Sequence, residues 1–390
     1  MRGHVSGQGP MFLMINMEDK VPADHPLRAV KRRCDRILAD MRRDFNAAYS
    51  RLGRPSIPPE QLLKALLLQA LYSIRSEILL MQAIDYNLLY RWFLDLPGDD
   101  PVWTPEVFSM NRERFARHNL LQKFFDRIVA EAITEQLASP DHFTVDGTLI
   151  RSWASHKSLV PKDGPPPPKD GDPGNPSVNW HGQKRSNATH VSTTDPEARL
   201  ARKGPGKEAH LCHSGHVLME NRHGLVLAVA VDAADGTAER RSAKVMLKQV
   251  RRRHRLRPKT MGMDAGFDDG AFLADMEADQ IVPHVPVRVP ARRDRLRADD
   301  EAGQARRRAT RRMKTKAYAI SQRLRKRVEE IFGWMKTVGD LARTRFVGRW
   351  KIRLEMLVTG AAYNLLRLVR LAPPPRRAGA AQAETARPAG

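Results

Sequence analysis

Residues 321–337 have the periodicity of an amphipathic helix, and they constrain the fold more than any other part of the sequence. The apolar residues recur at steps of four, three and four, as along one stripe of an α-helix: Leu324, Val328, Ile331 and Met335. Off this stripe, Arg325 and Glu329 are four residues apart and share a face, and Lys336 follows two turns later. One carboxylate between two cations suits a phosphodiester backbone, although a solvated helix with ion pairs has the same pattern.

Two further carboxylates follow short apolar segments that have the character of β-strands. In residues 142–146 the side chains alternate between two faces, and the strand is predicted to end at Asp146. Residues 260–264 have the same form, so Asp264 is predicted at a second strand end. Two strand-end aspartates and a helical glutamate are what a two-metal phosphoryl-transfer site requires. We therefore predict that Asp146, Asp264 and Glu329 are the catalytic and metal-binding residues.

The motifs around these carboxylates occur, in the same order, in a known family. They are Val-Asp-Gly-Thr-Leu-Ile at residues 145–150, the Arg-x3-Glu-x6-Lys of Arg325, Glu329 and Lys336, and the segments 21–28, 53–57, 184–190, 193–199, 203–207 and 219–224. With them the chain resembles the DDE transposases of bacterial insertion sequences, and among these the group named for insertion sequence five. The likeness runs from about residue 11 to residue 371. The chain departs from the family at Gln322, where the glutamate signature usually opens with Tyr, and at residues 104–106, which are Thr-Pro-Glu rather than Asp-His-Ser.

The resemblance implies a mixed α/β fold, with a helical N-terminal module followed by a ribonuclease H-like catalytic domain that carries an insertion. The predicted parts are an N-terminal extension (1–20), the helical module (21–140), the catalytic domain (141–371) with a flexible insertion at about 152–206, and a disordered tail (372–390). The insertion is rich in Pro, Gly, Lys and Asp and has little apolar surface to bury. The helical module either binds DNA or pairs proteins, or it simply supports the catalytic domain.

Hydrophobic periodicity and turn residues also predict individual elements within these two parts. In the helical module, helices are expected at 27–41, from the end of the 53–60 linker, at 78–94, from residue 104, and at 124–137. In the catalytic domain we expect a hairpin of 217–221 and 225–232, a helix at 242–251, a strand at 260–264, a helix at 268–278 capped by Asp268 and Asp269, an edge strand at 281–287, and a last helix at 350–371.

The charge balance indicates a polyanionic partner. The formal net charge is +23, a field that attracts nucleic acid or an anionic membrane surface. The sequence has no uninterrupted apolar run of about 18 residues and no signal-peptide pattern at its start, so we expect no membrane association. We predict a cytoplasmic, nucleoid-associated protein whose partner is double-stranded DNA, both transposon ends and target. It is expected to act as a homodimer or higher oligomer on that DNA.

Charge also predicts the cofactor. Two carboxylates about 4 Å apart repel by about 4 kcal/mol at an effective dielectric near 20, so Mg²⁺ or Mn²⁺ is expected to hold them together. The resemblance implies that this metal site cleaves the transposon end and then joins the freed 3′-hydroxyl to target DNA. The DNA contacts are predicted at the cationic and aromatic residues of the glutamate helix: Arg323, Arg325, Arg327, Trp334 and Lys336.

Other interpretations remain open at this point. A ribonuclease H-fold endonuclease would cut DNA without joining it, but simple cleavage does not require the N-terminal module. A non-catalytic DNA-binding derivative of a transposase is disfavoured because all three carboxylates are intact. A zinc site at residues 210–216 is disfavoured because no second Cys/His cluster completes four ligands. Trp334 could pack in the core instead of contacting DNA.

Overall fold

The computed structural model describes most of the chain, namely residues 16–50, 52, 56–163, 185–204, 206–288 and 300–372. Four predicted features lie wholly or partly outside the described residues: the N-terminal extension up to residue 15, residues 53–55 of the linker at 53–60, the Pro-rich centre of the insertion, and the tail from 373. Among the described residues, no helix is long and apolar enough to cross a membrane.

The N-terminal part is helical, as predicted. Its helices are α1 (Met17–Lys20), α2 (Pro26–Asp40), α3 (Arg42–Ala48), α4 (Pro59–Leu71), α5 (Glu77–Tyr86), α6 (Leu88–Leu94), α7 (Pro105–Arg117) and α8 (Leu120–Thr134). Proline begins α2, α4 and α7, since its fixed φ suits a first helical turn and its missing N–H is not needed there. The prediction of one helix at 78–94 was wrong, because Asn87 leaves helical geometry and its side chain caps α6 by accepting from the Leu89 N–H.

The second part contains the strands and the remaining helices. The strands are β1 (His142–Arg151), β2 (Leu159–Pro161), β3 (His190–Ser192), β4 (Arg199–Ala201), β5 (His210–Glu220), β6 (Leu225–Ala233), β7 (Thr260–Gly262) and β8 (Val282–His284). The helices are α9 (Ala238–His254), α10 (Gly270–Ala278), α11 (Glu301–Arg312), α12 (Lys316–Arg325), α13 (Val328–Thr337) and α14 (Arg349–Leu371).

The main sheet has the strand order β6-β5-β1-β7-β8, and β4 pairs with the first residues of β5. Strand β5 is antiparallel to both β1 and β6, whereas β7 and β8 run parallel to β1. Helix α9 connects β6 to β7, and α10 connects β7 to β8. An antiparallel meander followed by two parallel strands with helical connections is the ribonuclease H-like arrangement, so the predicted fold class is confirmed.

Strand β1 is longer than predicted, and Asp146 lies in its middle. Strand β5 pairs with β1 from Phe143 to Arg151, so the prediction that the strand ends at Asp146 was wrong. The glycine that suggested a strand end has another role. A Cβ atom at Gly147 would lie 2.9 Å from Nδ1 of His216, its partner on β5, so glycine allows the two strands to approach here.

One hydrophobic core joins the helical part to the sheet, and α14 is the element that connects them. This helix packs against α8 and α4 on one side and against β6 on another. Its buried Asn364 accepts a hydrogen bond from the Val226 N–H at 2.9 Å and donates one to the Val226 carbonyl at 2.7 Å. Because these bonds satisfy a buried amide on both sides, they fix the register of α14 on the sheet.

The flanks of the insertion are packed, which the sequence did not predict. Strands β2 and β3 pair with each other, and β4 joins the main sheet. The fully buried Asp195 accepts hydrogen bonds from Ser152 Oγ at 2.7 Å and from His213 Nε2 at 2.8 Å, which ties the second flank to β1 and β5. The predicted insertion at about 152–206 therefore has ordered, packed segments at both ends.

The two aspartates before α10 have different roles. Asp269 caps the helix as predicted, because its carboxylate accepts from the Phe272 N–H at 2.9 Å. Asp268 does not cap it. Its carboxylate instead accepts two hydrogen bonds from Arg306, each 2.8 Å long, which attach α11 to the start of α10.

Candidate active site

Asp146 and Asp264 occupy equivalent positions on neighbouring parallel strands. Thr144 of β1 is in register with Gly262 of β7, and each aspartate follows its paired residue by two positions. Since side chains repeat on one face every two residues and adjacent strands are about 4.8 Å apart, the two carboxylates are brought to the same face and end of the sheet. Asp264 lies just beyond β7, where its Oδ1 accepts from the Gly266 N–H at 2.8 Å.

The glutamate segment is two helices rather than one. Helix α12 ends at Arg325 and α13 begins at Val328, and the hydrogen bond between Arg327 N and Leu324 O spans three residues instead of four. The prediction of one continuous helix was wrong because this tighter turn interrupts it. As a result, Glu329 lies exposed in the first turn of α13.

Arg325 pairs with Asp146. Its Nη1 donates to Asp146 Oδ2 at 3.2 Å, and the two side chains are only 19% and 18% exposed. Helical spacing alone would make Glu329 its neighbour, but the turn between α12 and α13 changes that geometry. A guanidinium held against Asp146 indicates that this position in the site favours a positive charge.

The carboxylates influence each other through their charges. Burial raises the pKa of Asp146 to about 6, and the charges of Asp264 and Glu329 add to that effect, whereas the Gly147 N–H and Arg325 oppose it. In this conformation, no three His, Cys, Asp or Glu side chains of the described residues are close enough together to hold a metal ion. The donor set nevertheless fits a hard divalent cation, because it consists of carboxylate oxygens that repel each other around a position already attractive to a cation.

A fourth carboxylate, Glu239, lies close enough for the charges of Asp264 and Asp146 to act on it, and the sequence analysis did not identify it. Helix α9 begins at Ala238, four residues before the predicted start, so Glu239 lies in its first turn. Burial raises the pKa of Glu239 to about 7, and the charges of Asp264 and Asp146 add to that effect, whereas Arg240 opposes it. An acidic residue in a first helical turn is already explained by the helix dipole, which is why the sequence alone does not mark it.

Two of the predicted DNA-contacting residues remain available on the surface. Arg323 is exposed on α12. Lys336 is half-buried on α13, and both burial and the charge of Lys203 lower its pKa. Lys336 thus lies beside the second flank of the insertion, where it and Lys203 place two positive charges close together.

The other two helical candidates have contacts within the protein. Arg327 donates to the carbonyl oxygen of Arg222 at 2.8 Å and also to that of Asn221, so it holds the hairpin turn between β5 and β6. Trp334 is half-buried, and its ring lies 5.8 Å from that of Tyr363 on α14. These contacts give Arg327 and Trp334 structural roles.

Gln322, where the chain departs from the family, anchors α12 to the sheet. Its side-chain amide donates to the carbonyl oxygen of His284 at 2.8 Å and to that of Met263 at 3.3 Å. His284 is the last residue of β8, and Met263 follows β7 and directly precedes Asp264. Gln322 therefore helps to position the turn that carries the second aspartate.

Two family models match the sequence. The model described as Transposase domain (DUF772) matches residues 15–114, and the one described as Transposase DDE domain matches residues 187–365. Together they cover more than half of the 390 residues. Asp264 and Glu329 lie inside the second match, and Asp146 lies between the two. Comparison with curated proteins gives no match.

Among solved structures, the chain is similar to two transposase assemblies. One is the Mos1 transposase paired-end complex with left transposon end, with 12% identity, coverage of 75% of this chain and 87% of that chain, and a TM-score of 0.19. The other is a pre-cleavage Mos1 transpososome, with 11% identity, 82% coverage of each chain and a TM-score of 0.19. The strand order of the main sheet supports the fold class.

Proposed function

Because the chain belongs to the DDE transposases of insertion sequences, we propose that Asp146, Asp264 and Glu329 are the residues that carry out its catalysis. A transposase of this kind cleaves DNA at the ends of its element and transfers the cleaved strand. The observation that supports the residue assignment is the register of β1 and β7, which brings the two aspartates side by side. Glu329 completes the set, since its charge acts on Asp146 from α13.

DDE transposases use divalent metal ions, and in this chain we propose Mg²⁺, with Mn²⁺ as a substitute. The three carboxylates are hard oxygen ligands of the kind that Mg²⁺ prefers. Ions bound in such a site activate the attacking oxygen and stabilise the leaving oxygen of a phosphodiester. Arg325 neutralises Asp146 in the metal-free protein and is placed to hold a phosphate when it leaves that carboxylate.

We propose double-stranded DNA, both transposon ends and target, as the partner. The net charge of +23 supports a polyanion, and Arg323 and Lys336 are the residues of α12 and α13 proposed to bind phosphate. The helical module of residues 21–140 is assigned to binding the terminal repeats, and the catalytic domain of residues 141–371 to the chemistry. We also propose that the protein forms a dimer or higher oligomer on DNA and is associated with the nucleoid. The motifs at residues 21–28 and 219–224 support its assignment to the insertion sequence five group.

The test compares isosteric variants on a labelled transposon end. Asp146→Asn, Asp264→Asn and Glu329→Gln are each expected to slow cleavage about 100-fold or more, while electrophoretic shifts show DNA binding close to that of the wild type. The control is Glu330→Gln, since the Glu330 carboxylate accepts from Arg367 at 2.8 Å and is directed toward α14. Wild-type cleavage by the three variants would refute the assignment, and loss of cleavage in Glu330→Gln with activity retained in Glu329→Gln would show that the wrong glutamate was chosen.

A further inference from the structure

A cavity lies at the end of β1, beyond the carboxylate site, and we call it the β1-end cavity. Its volume is about 290 Å³. The described residues that line it include Arg151 at the end of β1, His210 at the start of β5, and Ser155, His156, Glu208 and Arg343. Two of these side chains are guanidinium groups and two are imidazoles, whereas only one is acidic. The lining therefore favours an anionic ligand.

The backbone holds the two arginines of the cavity side by side. Arg151 and Arg343 are partners in a parallel bridge, in which the Arg151 N–H donates to the Ala342 carbonyl at 3.3 Å and accepts, at its own carbonyl, from the Thr344 N–H at 2.8 Å. Bridge partners lie on strands about 4.8 Å apart and direct their side chains to the same face. Neither guanidinium has a carboxylate partner within the part of the chain that the structure describes. Two like charges held this close favour an anion between them.

Trp153 fixes the position of Arg343 at the rim of the cavity. The Arg343 Nη2 donates to the Trp153 carbonyl at 3.1 Å, and the guanidinium carbon lies 4.9 Å from the centre of the indole ring. The indole is 56% exposed, so its contact with the guanidinium is made at the surface rather than in the core. A guanidinium that is already held in place loses less side-chain freedom when a ligand binds.

A buried, unpaired imidazole nitrogen provides an independent observation. The Nε2 of His156 is buried and has no hydrogen-bond partner among the described residues. The His156 ring lies 6.3 Å from the ring of His210, which lines the same cavity. Since buried polar groups are almost always hydrogen-bonded, this nitrogen indicates that a polar ligand belongs in the cavity. The acidic residue, Glu208, is 73% exposed and lies 3.7 Å from His210 Nε2, so it accompanies that histidine at the rim.

Helix α13 leads from the carboxylate site to this cavity. Glu329 lies in the first turn of α13 and Lys336 in its last turn. Burial raises the pKa of the Cys212 thiol to about 11, and the charges of Arg151 and Lys336 oppose that effect, so both cations lie close to Cys212. Cys212 is also the residue of β5 that is in register with Arg151. DNA that contacts both ends of α13 therefore reaches the edge of the β1-end cavity.

We propose that the β1-end cavity binds a backbone phosphate of the DNA held at the carboxylate site, an inference that rests on the duplex DNA substrate and the catalytic carboxylates proposed above. Arg151 and Arg343 supply the positive charge, and His156 Nε2 supplies a hydrogen bond. From Glu329 to Lys336 α13 rises about 10.5 Å, and from Asp146 to Arg151 β1 rises about 17 Å. At about 3.4 Å per nucleotide, the bound phosphate is about three to five nucleotides from the scissile one.

The experiment measures the affinity of the full chain for labelled transposon-end duplexes by fluorescence anisotropy over a series of salt concentrations, without divalent metal so that no cleavage occurs. The duplexes extend about two or about eight nucleotides beyond the scissile phosphate, on one side or on the other. On the long duplex that reaches the cavity, Arg151→Gln and Arg343→Gln are each expected to weaken binding about tenfold. They are also expected to lower the slope of log affinity against log salt by about 0.9, the value for one phosphate contact. On the short duplexes both variants are expected to bind like the wild type.

Two control variants separate a phosphate site from a general effect of charge. Arg252→Gln removes an exposed cation from the last turn of α9, and any loss of affinity that it causes is expected to be the same for short and long duplexes. Glu208→Gln removes the acidic residue that lines the cavity, so its affinity for the long duplex is expected to equal or exceed that of the wild type. The melting temperature of each variant shows that it is folded.

The outcomes separate this inference from the proposed function. If Arg151→Gln and Arg343→Gln bind every duplex like the wild type, or lose the same affinity for short and long duplexes, the cavity holds no DNA phosphate, while the proposed substrate and catalytic residues stand. If the wild type itself binds none of the duplexes, the proposed DNA substrate is wrong and both proposals fail.

Discussion

The ion pair between Arg325 and Asp146 predicts that this arginine competes with the metal. The guanidinium lies 3.2 Å from the carboxylate oxygen that a cation would bind, so bound metal and bound Arg325 exclude each other at Asp146. We therefore expect Arg325→Gln to bind Mn²⁺ more tightly than the wild type in the absence of DNA. Cleavage by the same variant is expected to fall, because the residue proposed to hold a phosphate is missing.

The size of the effect follows from the geometry. Opposite unit charges at the 3.2 Å of this pair attract by about 5 kcal/mol at an effective dielectric of 20. Desolvation and side-chain ordering offset most of this attraction, and a hydrogen bond to a charged group retains about 1.5–3 kcal/mol. At the lower end, the loss of the competitor corresponds to about tenfold tighter binding of the metal.

The assay is calorimetric titration of the full chain with Mn²⁺ at pH 8, above the pKa of about 6 of Asp146 in the wild type. The matched control is Arg323→Gln, which removes an exposed cation two residues earlier on the same helix. It is expected to leave Mn²⁺ affinity close to that of the wild type. Unchanged or weaker binding by Arg325→Gln would refute the competition and show that Arg325 supports the metal-bound form of the site.

Two further predictions concern pH and salt. The pKa of Asp146 is raised from 3.8 to about 6, so the folded protein binds the carboxyl proton of Asp146 more tightly than the unfolded chain does. The stabilisation of the fold by this proton is complete below about pH 4 and is lost as the pH rises through about 6. Relative to Asp146→Asn, the metal-free wild type should lose about 3 kcal/mol of unfolding free energy over that pH range, as measured by urea titrations. If the unfolding free energies of the two proteins change with pH in the same way, the raised pKa is contradicted. If about six or more phosphates are neutralised, the affinity for duplex DNA should fall by at least roughly three orders of magnitude between 50 and 200 mM salt. A nearly flat salt dependence of the affinity, measured by fluorescence anisotropy, would argue against duplex DNA as the substrate.

The parts of the site that the sequence predicts are those with a local signal. The alternation around Asp146 and Asp264 reports which face each side chain takes, and it holds whether the strand ends there or continues. The partner of Arg325 has no such signal. Asp146 lies 179 residues away in sequence, and their contact depends on how α12 docks on β1 and β7. Helical spacing could only suggest Glu329, the nearest acidic residue on the same predicted face.

The three mispredicted boundaries nearest the carboxylates share a physical cause. Strand β1 continues past Asp146, the glutamate segment breaks before Val328, and α9 begins early enough to include Glu239. In each case local propensity has an adequate explanation of its own: a glycine suggests a strand end, an unbroken apolar stripe suggests one helix, and an acidic first turn suits the helix dipole. The observed geometry instead places like charges together, which local rules disfavour and which Arg325 offsets at Asp146 in this conformation. Disagreement between local rules and tertiary structure is therefore itself a sign of where the site lies.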